Sequence, residues 1–155
     1  MGDVRGMTDI LREHPFTAGL RPEHLDLVAG CARNVVLEPG KFVLQEGAPA
    51  STFFALRDGA VALELYSPSK GGLVVQTLHA GDVLGWSWLF PPYKWTFDAR
   101  AILPTRAVAF DGACLRQKAD ADHELGYELM KRVAQVFTRR LAATRLQLLD
   151  LYGTR

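Results

Sequence analysis

Several features that would point to a particular class of protein are scarce in this 155-residue chain. Its two cysteines, Cys31 and Cys114, are too few for a framework of disulfides or an all-cysteine metal site. The formal net charge of +1 provides no attraction to nucleic acid or to an anionic membrane. No apolar run approaches the roughly 18–20 residues that span a bilayer, and residues 1–7 lack a signal core. We therefore expect a cytoplasmic protein with two buried, reduced thiols and no membrane or, by itself, nucleic-acid partner.

Signatures of catalysis and of metal binding are absent as well. No nucleophile elbow, Walker loop or dinucleotide fingerprint occurs. The four histidines are scattered without metal-ligand spacing: His14, His24, His79 and His123. We predict that the protein is not an enzyme and holds no metal.

What is present suits one globular domain, which we assign to 1–155. Hydrophobic residues make up 48% of the chain and charged residues 23%, which is enough apolar material for a core. The first zone, 1–32, predicts two short helices. Thr8 is the expected cap of the first of them, and Pro22 is the expected first residue of the second.

The second zone, 34–110, is rich in β signals. Apolar and β-branched runs alternate with turn residues, and Asp58-Gly59 between two such runs indicates a tight hairpin. Many short strands at close spacing favour a sandwich or barrel. The candidate strands are Val35–Leu37, Lys41–Gln45, Thr52–Arg57, Ala60–Tyr66, Leu73–His79, Thr96–Ile102 and Arg106–Phe110.

The third zone, 122–152, predicts one long helix that ends at Gly153. Apolar side chains along it are separated by alternating steps of four and three, which is the seam of a helix that pairs with another helix. We predict a homodimer; the alternative is a single amphipathic helix lying on its own core. The seam comprises Met130, Ala134, Phe137, Leu141, Thr144, Leu148 and Leu151.

Two further sets of side chains occupy the other faces of this helix. An apolar stripe should pack on the chain's own β-roll, and a basic set should form a solvated face that flanks the seam. The stripe is Leu125, Leu129, Val133 and Val136; the basic set is Lys131, Arg132, Arg139, Arg140 and Arg145.

Short motifs in a fixed order give the chain a family resemblance. The motifs occur in this order along the chain: Pro39-Gly40 with Val43, then Glu46-Gly47 and Phe54, then Asp58-Gly59-Ala60-Val61, and finally Leu78 through Gly85. This order resembles the cyclic nucleotide-binding domain of the catabolite-activator type. The resemblance implies a double-stranded β-helix (jelly-roll) with short N-terminal helices and a long C-terminal helix, and a sensor function. Transcription factors of the family add a helix-turn-helix domain, which we do not expect before the chain stops at Arg155.

The segment 81–101 stands where that family has its phosphate-binding cassette. Leu84-Gly85-Trp86 matches Phe-Gly-Glu, so Trp86 replaces the glutamate that takes the ribose hydroxyl. Trp95-Thr96-Phe97 matches Arg-Ser/Thr-Ala, so Trp95 replaces the arginine that pairs with the cyclic phosphate. A tryptophan offers one N–H and no charge, and it cannot replace a bidentate arginine. A register shift of one residue would bring Lys94 to the arginine position.

Three interpretations of this cassette are open. We favour a stand-alone, dimeric regulatory or sensor module with a non-standard ligand pocket, and the first interpretation gives that pocket a flat or apolar ligand. The alternatives are a pocket filled by its own rings in a domain that docks on a protein partner, and a cyclic nucleotide held by altered contacts, which the cassette side chains do not support. The candidate ligand-binding residues are Gly85, Trp86, Ser87, Trp88, Lys94, Trp95, Thr96 and Phe97.

Overall fold

The computed structural model describes residues 6–153. Helices α1 (Met7–Glu13) and α2 (Pro22–Ala29) precede the strands, and α3 (Gly112–Ala121) and α4 (His123–Gly153) follow them. The strands are β1 (Ala32–Leu37), β2 (Phe42–Leu44), β3 (Thr52–Leu56), β4 (Val61–Ser67), β5 (Gly71–Leu78), β6 (Val83–Leu84), β7 (Asp98–Ala101) and β8 (Thr105–Asp111).

The strands form two four-stranded antiparallel sheets, and the predicted β-roll architecture is confirmed. The sheet orders are β1-β8-β3-β6 and β2-β7-β4-β5. Side chains directed between the sheets make an apolar cluster, here called the roll interior. It contains Leu44, Ala50, Phe54, Leu56, Val61, Leu63, Leu78, Leu84, Trp95, Ala99, Ala107 and Ala109.

A second apolar cluster, here called the helical core, lies on the other face of the first sheet. Successive strand residues point to opposite faces, so Phe53 joins this cluster while Phe54 joins the roll interior. The predicted inner stripe of α4 is buried here beside Val108 and Phe110, which confirms that expectation. The α4 residues in the helical core are Leu125, Leu129, Val133 and Val136.

Two elements were not predicted. Strand β6 has only two residues, which is too short to give an alternating pattern. Helix α3 begins with Gly112, a poor helix former, and its start depends on Asp111, whose side chain accepts a hydrogen bond from the Cys114 amide. The predicted cap at Thr8 is wrong, because α1 begins at Met7 and has no side-chain cap.

The prediction of two reduced thiols is also wrong. Cys31 and Cys114 form a disulfide, with their Cα atoms 5.7 Å apart. The β1–β8 pairing explains their proximity: Ala32 lies opposite Phe110, so the residue before β1 meets the start of α3. The two cysteines are 83 positions apart, and sequence spacing alone carries no sign of this contact.

Two close contacts fix the roll against its neighbouring segments. The predicted Asp58-Gly59 turn joins β3 to β4, and Gly59 has a φ of +82° that favours glycine. A Cβ at this position would lie 2.2 Å from the Thr105 hydroxyl oxygen. At the other contact, the buried His14 ring donates from Nε2 to the Leu56 carbonyl (3.0 Å), while its Nδ1 accepts from the Phe16 amide (3.1 Å). That pair of partners requires a neutral ring, and burial lowers the pKa of His14.

Candidate functional site

The cassette segment connects β6 to β7 and begins with one short helical turn, Trp86–Leu89. Gly85 precedes this turn with a φ of +93°. A Cβ at Gly85 would lie 3.0 Å from the Trp95 ring and 3.2 Å from the Thr52 carbonyl oxygen. Glycine is therefore required here both by the backbone conformation and by the close approach of the Trp95 ring.

The Trp95 side chain lies inside the roll. The Trp95 carbonyl accepts from the Gly47 amide (2.9 Å), and the Trp95 amide donates to the Ala48 carbonyl (3.0 Å). This pairing extends the segment and makes its side chains alternate between faces. Trp95 points inward and is only 6% exposed, whereas Lys94 and Thr96 on either side of it are exposed. Lys94 therefore does not take the arginine position.

The Trp86 side chain connects the cassette to α4. Its ring centroid lies 6.0 Å from that of Phe97 and 4.9 Å from that of Phe137, which meets it edge-on. The guanidinium carbon of Arg140 lies 4.4 Å from the Trp86 ring centroid, in cation–π geometry. Phe137, a predicted seam residue, is thus half-buried against its own cassette.

Arg140 is a site residue that the sequence interpretation missed. One of its Nη atoms donates to the Val83 carbonyl, while Nη1 is buried and has no hydrogen-bond partner among residues 6–153. Burial lowers the pKa of Arg140 to about 10; Asp82 opposes this shift and Arg139 adds to it. The prediction that Arg140 belongs to a solvated face is wrong, because its side chain is partly buried. The available signal was its spacing, because it follows Val136 by four residues and so continues the buried stripe.

The remaining candidate residues do not converge on one pocket. Trp88 is buried in the helical core, with its ring centroid 5.7 Å from that of Phe53, and Ser87 is partly buried. Arg100, which was not a predicted site residue, has its guanidinium carbon 4.3 Å from the Phe42 ring centroid. Neither Trp86 nor Trp95 lines any of five cavities of about 280 to 450 Å³ described among residues 6–153.

The seam side chains of α4 are mostly exposed. Met130, Leu141, Leu148 and Leu151 are exposed, and the exposed Thr144 uses its hydroxyl to donate to the Arg140 carbonyl at 2.9 Å. Within the described part of the chain no helix is long and apolar enough to cross a membrane. The same residues contain no group of three or more His, Cys, Asp or Glu side chains that could hold a metal ion.

Comparisons with known proteins agree with this architecture. The model of the cyclic nucleotide-binding domain matches residues 34–122. A putative cyclic nucleotide-binding protein from Geobacter metallireducens GS-15 is similar in structure, with a TM-score of 0.78, 32% sequence identity, and coverage of 86% of this chain and 97% of that one. The catabolite activator protein of Thermus thermophilus gives a TM-score of 0.69 at 21% identity, covering 90% of this chain and 63% of that one.

A further similar structure is the regulatory subunit of a cAMP-independent protein kinase A from Trypanosoma brucei. Its TM-score is 0.67 at 17% identity, with 82% of this chain and 45% of that chain covered. No curated protein matches the sequence. Because the family model covers more than half of the chain, this protein belongs to the cyclic nucleotide-binding domain family.

Proposed function

We propose that this chain is a regulatory module whose cassette is filled by its own Trp95 and therefore does not respond to cAMP or cGMP. The observation that carries the proposal is the Trp95 ring packed inside the roll against Gly85. Domains of this family are typically regulatory rather than catalytic, and we extend this to the absence of any enzymatic activity here.

Two physical effects oppose nucleotide binding. A cyclic phosphate beside Trp95 would lack its bidentate arginine, and losing such a charge-assisted contact costs a few kcal/mol, or about two decades of affinity. The nucleotide would also have to displace a buried ring. The similar structure from Trypanosoma brucei is the regulatory subunit of a cAMP-independent protein kinase A, so a domain of this fold can serve a regulatory subunit that does not depend on cAMP.

A pocket for a different flat ligand is the weaker candidate function. In that interpretation Lys94, Ser87 or Thr96 serves as the polar contact beside the tryptophan rings. Lys94 and Thr96 are exposed on the opposite face of the segment from Trp95, and Ser87 lies apart from them on the helical turn Trp86–Leu89. The polar contacts that such a ligand would need therefore do not lie beside the Trp95 ring.

Calorimetric titration with cAMP and cGMP tests the proposal. We expect no heat of binding to the wild-type chain at millimolar nucleotide, because the uncharged Trp95 stands at the arginine position and Lys94 beside it is exposed on the other face. The double variant Trp86→Glu/Trp95→Arg restores both charged side chains of the family pattern and, where circular dichroism shows it folded, should gain affinity. Micromolar binding of either nucleotide by the wild-type chain would refute the proposal.

We further propose that α4 pairs with α4 of a second copy through its exposed seam. Support comes from the heptad spacing together with the exposure of Leu141 and Leu148, which a lone helix would leave in water. Leu141→Asp should convert a dimer to a monomer in sedimentation equilibrium. Leu146→Asp is the matched control, because Leu146 is at least as exposed as Leu141 (63% against 51%) but lies off the seam. A monomeric wild-type chain at micromolar concentration would contradict this pairing.

The cytoplasmic location is likewise a proposal. Disulfides are rare in the reducing cytosol, so the Cys31–Cys114 bond is the observation that tests it most directly. Alkylation of thiols in intact cells, followed by mass spectrometry, would report the state of both cysteines in place. Free thiols are expected in a cytoplasmic protein, whereas a quantitative disulfide would favour an oxidising compartment.

A further inference from the structure

A cavity of about 370 Å³ lies outside the cassette, where three segments meet. The loop after α1 contributes Pro15 and Phe16, the turn before β6 contributes Asp82, β6 itself contributes Val83, and α4 contributes Arg132 and Arg139. We call it the α4 cavity. Its volume lies within the range of small-molecule sites.

The α4 cavity has an apolar floor and a cationic rim. Phe16 and Val83 are buried and supply the floor. Arg132 is held in place, because its Nη1 lies 2.5 Å from a Glu128 carboxylate oxygen and its Nη2 donates to the Ala18 carbonyl at 3.0 Å. Arg139 is exposed and makes no hydrogen bond or ion pair with any of residues 6–153.

Positive charge is in excess around this cavity. Arg132 and Arg139 line it together with one carboxylate, Asp82, which already accepts a hydrogen bond from the His79 amide at 2.9 Å. Arg140 lies next to it, bonded to the carbonyl of the lining residue Val83. Glu128 is shared between Arg132 and Lys131, and the charge of Asp82 is the one that favours the charged form of Arg140.

We propose that the α4 cavity is an effector site for a small oxyanion that carries a short apolar group. The free Arg139 guanidinium can bind a phosphate or carboxylate in its planar fork, while the apolar group covers Phe16 and Val83. Such a ligand would bridge α4 to the turn that leads into β6 and the cassette. It would therefore act on the contact between α4 and the roll without entering the cassette.

Phenyl phosphate is a suitable probe, with inorganic phosphate and benzoate as the two partial ligands. Calorimetric titration should show binding of phenyl phosphate with a millimolar or lower Kd. Inorganic phosphate should bind more weakly, because it leaves the apolar floor uncovered. Comparing benzoate with phenyl phosphate shows whether the site prefers a carboxylate or a phosphate. Arg139→Gln should weaken binding of phenyl phosphate by about tenfold or more, since a charge-assisted contact is lost.

Arg145→Gln is the matched control, because Arg145 is another exposed arginine of α4 that does not line the cavity. It should leave the affinity unchanged. Absence of phenyl phosphate binding to the wild-type chain overturns the proposal, and so does equal affinity of the Arg139→Gln variant. Neither result bears on the cassette, since all of these chains retain Trp95 and the cAMP titration is a separate measurement.

Discussion

Replacing Trp95 by alanine tests the self-filled cassette through stability. The ring is 6% exposed and lies among the residues of the roll interior, so its removal leaves a cavity that the surrounding β-strands cannot close fully. Truncation of a buried Phe or Trp to Ala costs about 3–5 kcal/mol. For a chain of this size, each kcal/mol lowers the Tm by about 2–4 °C, so Trp95→Ala should lower it by about 6–20 °C.

The cavity made in this way should accept the ring that was removed. An apolar cavity created by truncation stays dry and can bind an apolar ligand of matching shape. Indole at ten times its Kd would stabilise the Trp95→Ala variant by RT ln 11, which is about 1.4 kcal/mol or roughly 3–6 °C. Thermal unfolding followed by circular dichroism measures both the fall in Tm caused by Trp95→Ala and the rise in Tm caused by indole.

A matched variant from the same segment separates ring filling from general damage to the cassette. Phe90 is 42% exposed, so Phe90→Ala should cost much less than Trp95→Ala and should show no stabilisation by indole. A loss below about 1 kcal/mol for Trp95→Ala would show that the ring does not fill the roll. Equal indole shifts in the wild-type chain and in the Trp95→Ala variant would refute the reasoning as well.

Three further predictions concern the rest of the fold. Gly59→Ala should cost at least about 2 kcal/mol more in urea unfolding than Gly40→Ala, because both have positive φ but only Gly59 is crowded. The pKa of His14 is lowered in the folded state, so below about pH 6.5 the unfolded chain binds the proton more readily than the folded one. The contribution of His14 to the free energy of unfolding should therefore be constant above that pH and fall as the pH decreases below it. His14→Gln should flatten this dependence in urea unfolding measured at several pH values. Replacing Cys31 and Cys114 by serine opens an 83-residue loop and should cost up to about 4.5 kcal/mol; a cost near zero, with mass spectrometry showing thiols in the parent chain, would contradict the bond.

The strands could be predicted because their evidence is local. Thr52–Leu56 and Val61–Ser67 were each anticipated to within a residue or two, since an apolar run and a turn at Asp58-Gly59 delimit both. The buried stripe of α4 could also be predicted, because its helical period is visible over about three turns. Helix α3 lacks such a period: its buried residues are only Gly112 and Leu115.

The candidate site was predicted in outline but not in its contacts. Matching Trp95 to the arginine position located the ring in the chain, yet its inward direction depends on pairing with residues 47–50, which are far away in sequence. The burial of Arg140 likewise depends on contacts with residues that are distant in sequence. A charged residue on a helix is usually solvated, whereas here the Trp86 ring, the Val83 carbonyl and the charge of Asp82 make the partial burial of the guanidinium tolerable.

Replacing charges by aromatic rings also changes how the cassette can communicate with α4. A ligand shifts a conformational equilibrium only by the difference in its affinity for the two states. Here the Trp86 ring lies directly against Phe137 and Arg140, so under the proposed self-filled cassette this connection would not depend on a small molecule in the roll. A regulatory input must then act on the connection from outside. The α4 cavity is suitably placed for this, because Val83 lines it and accepts the hydrogen bond of Arg140. An anion that draws Arg139 toward the turn before β6 would alter the position of α4 relative to the roll while the cassette stays closed.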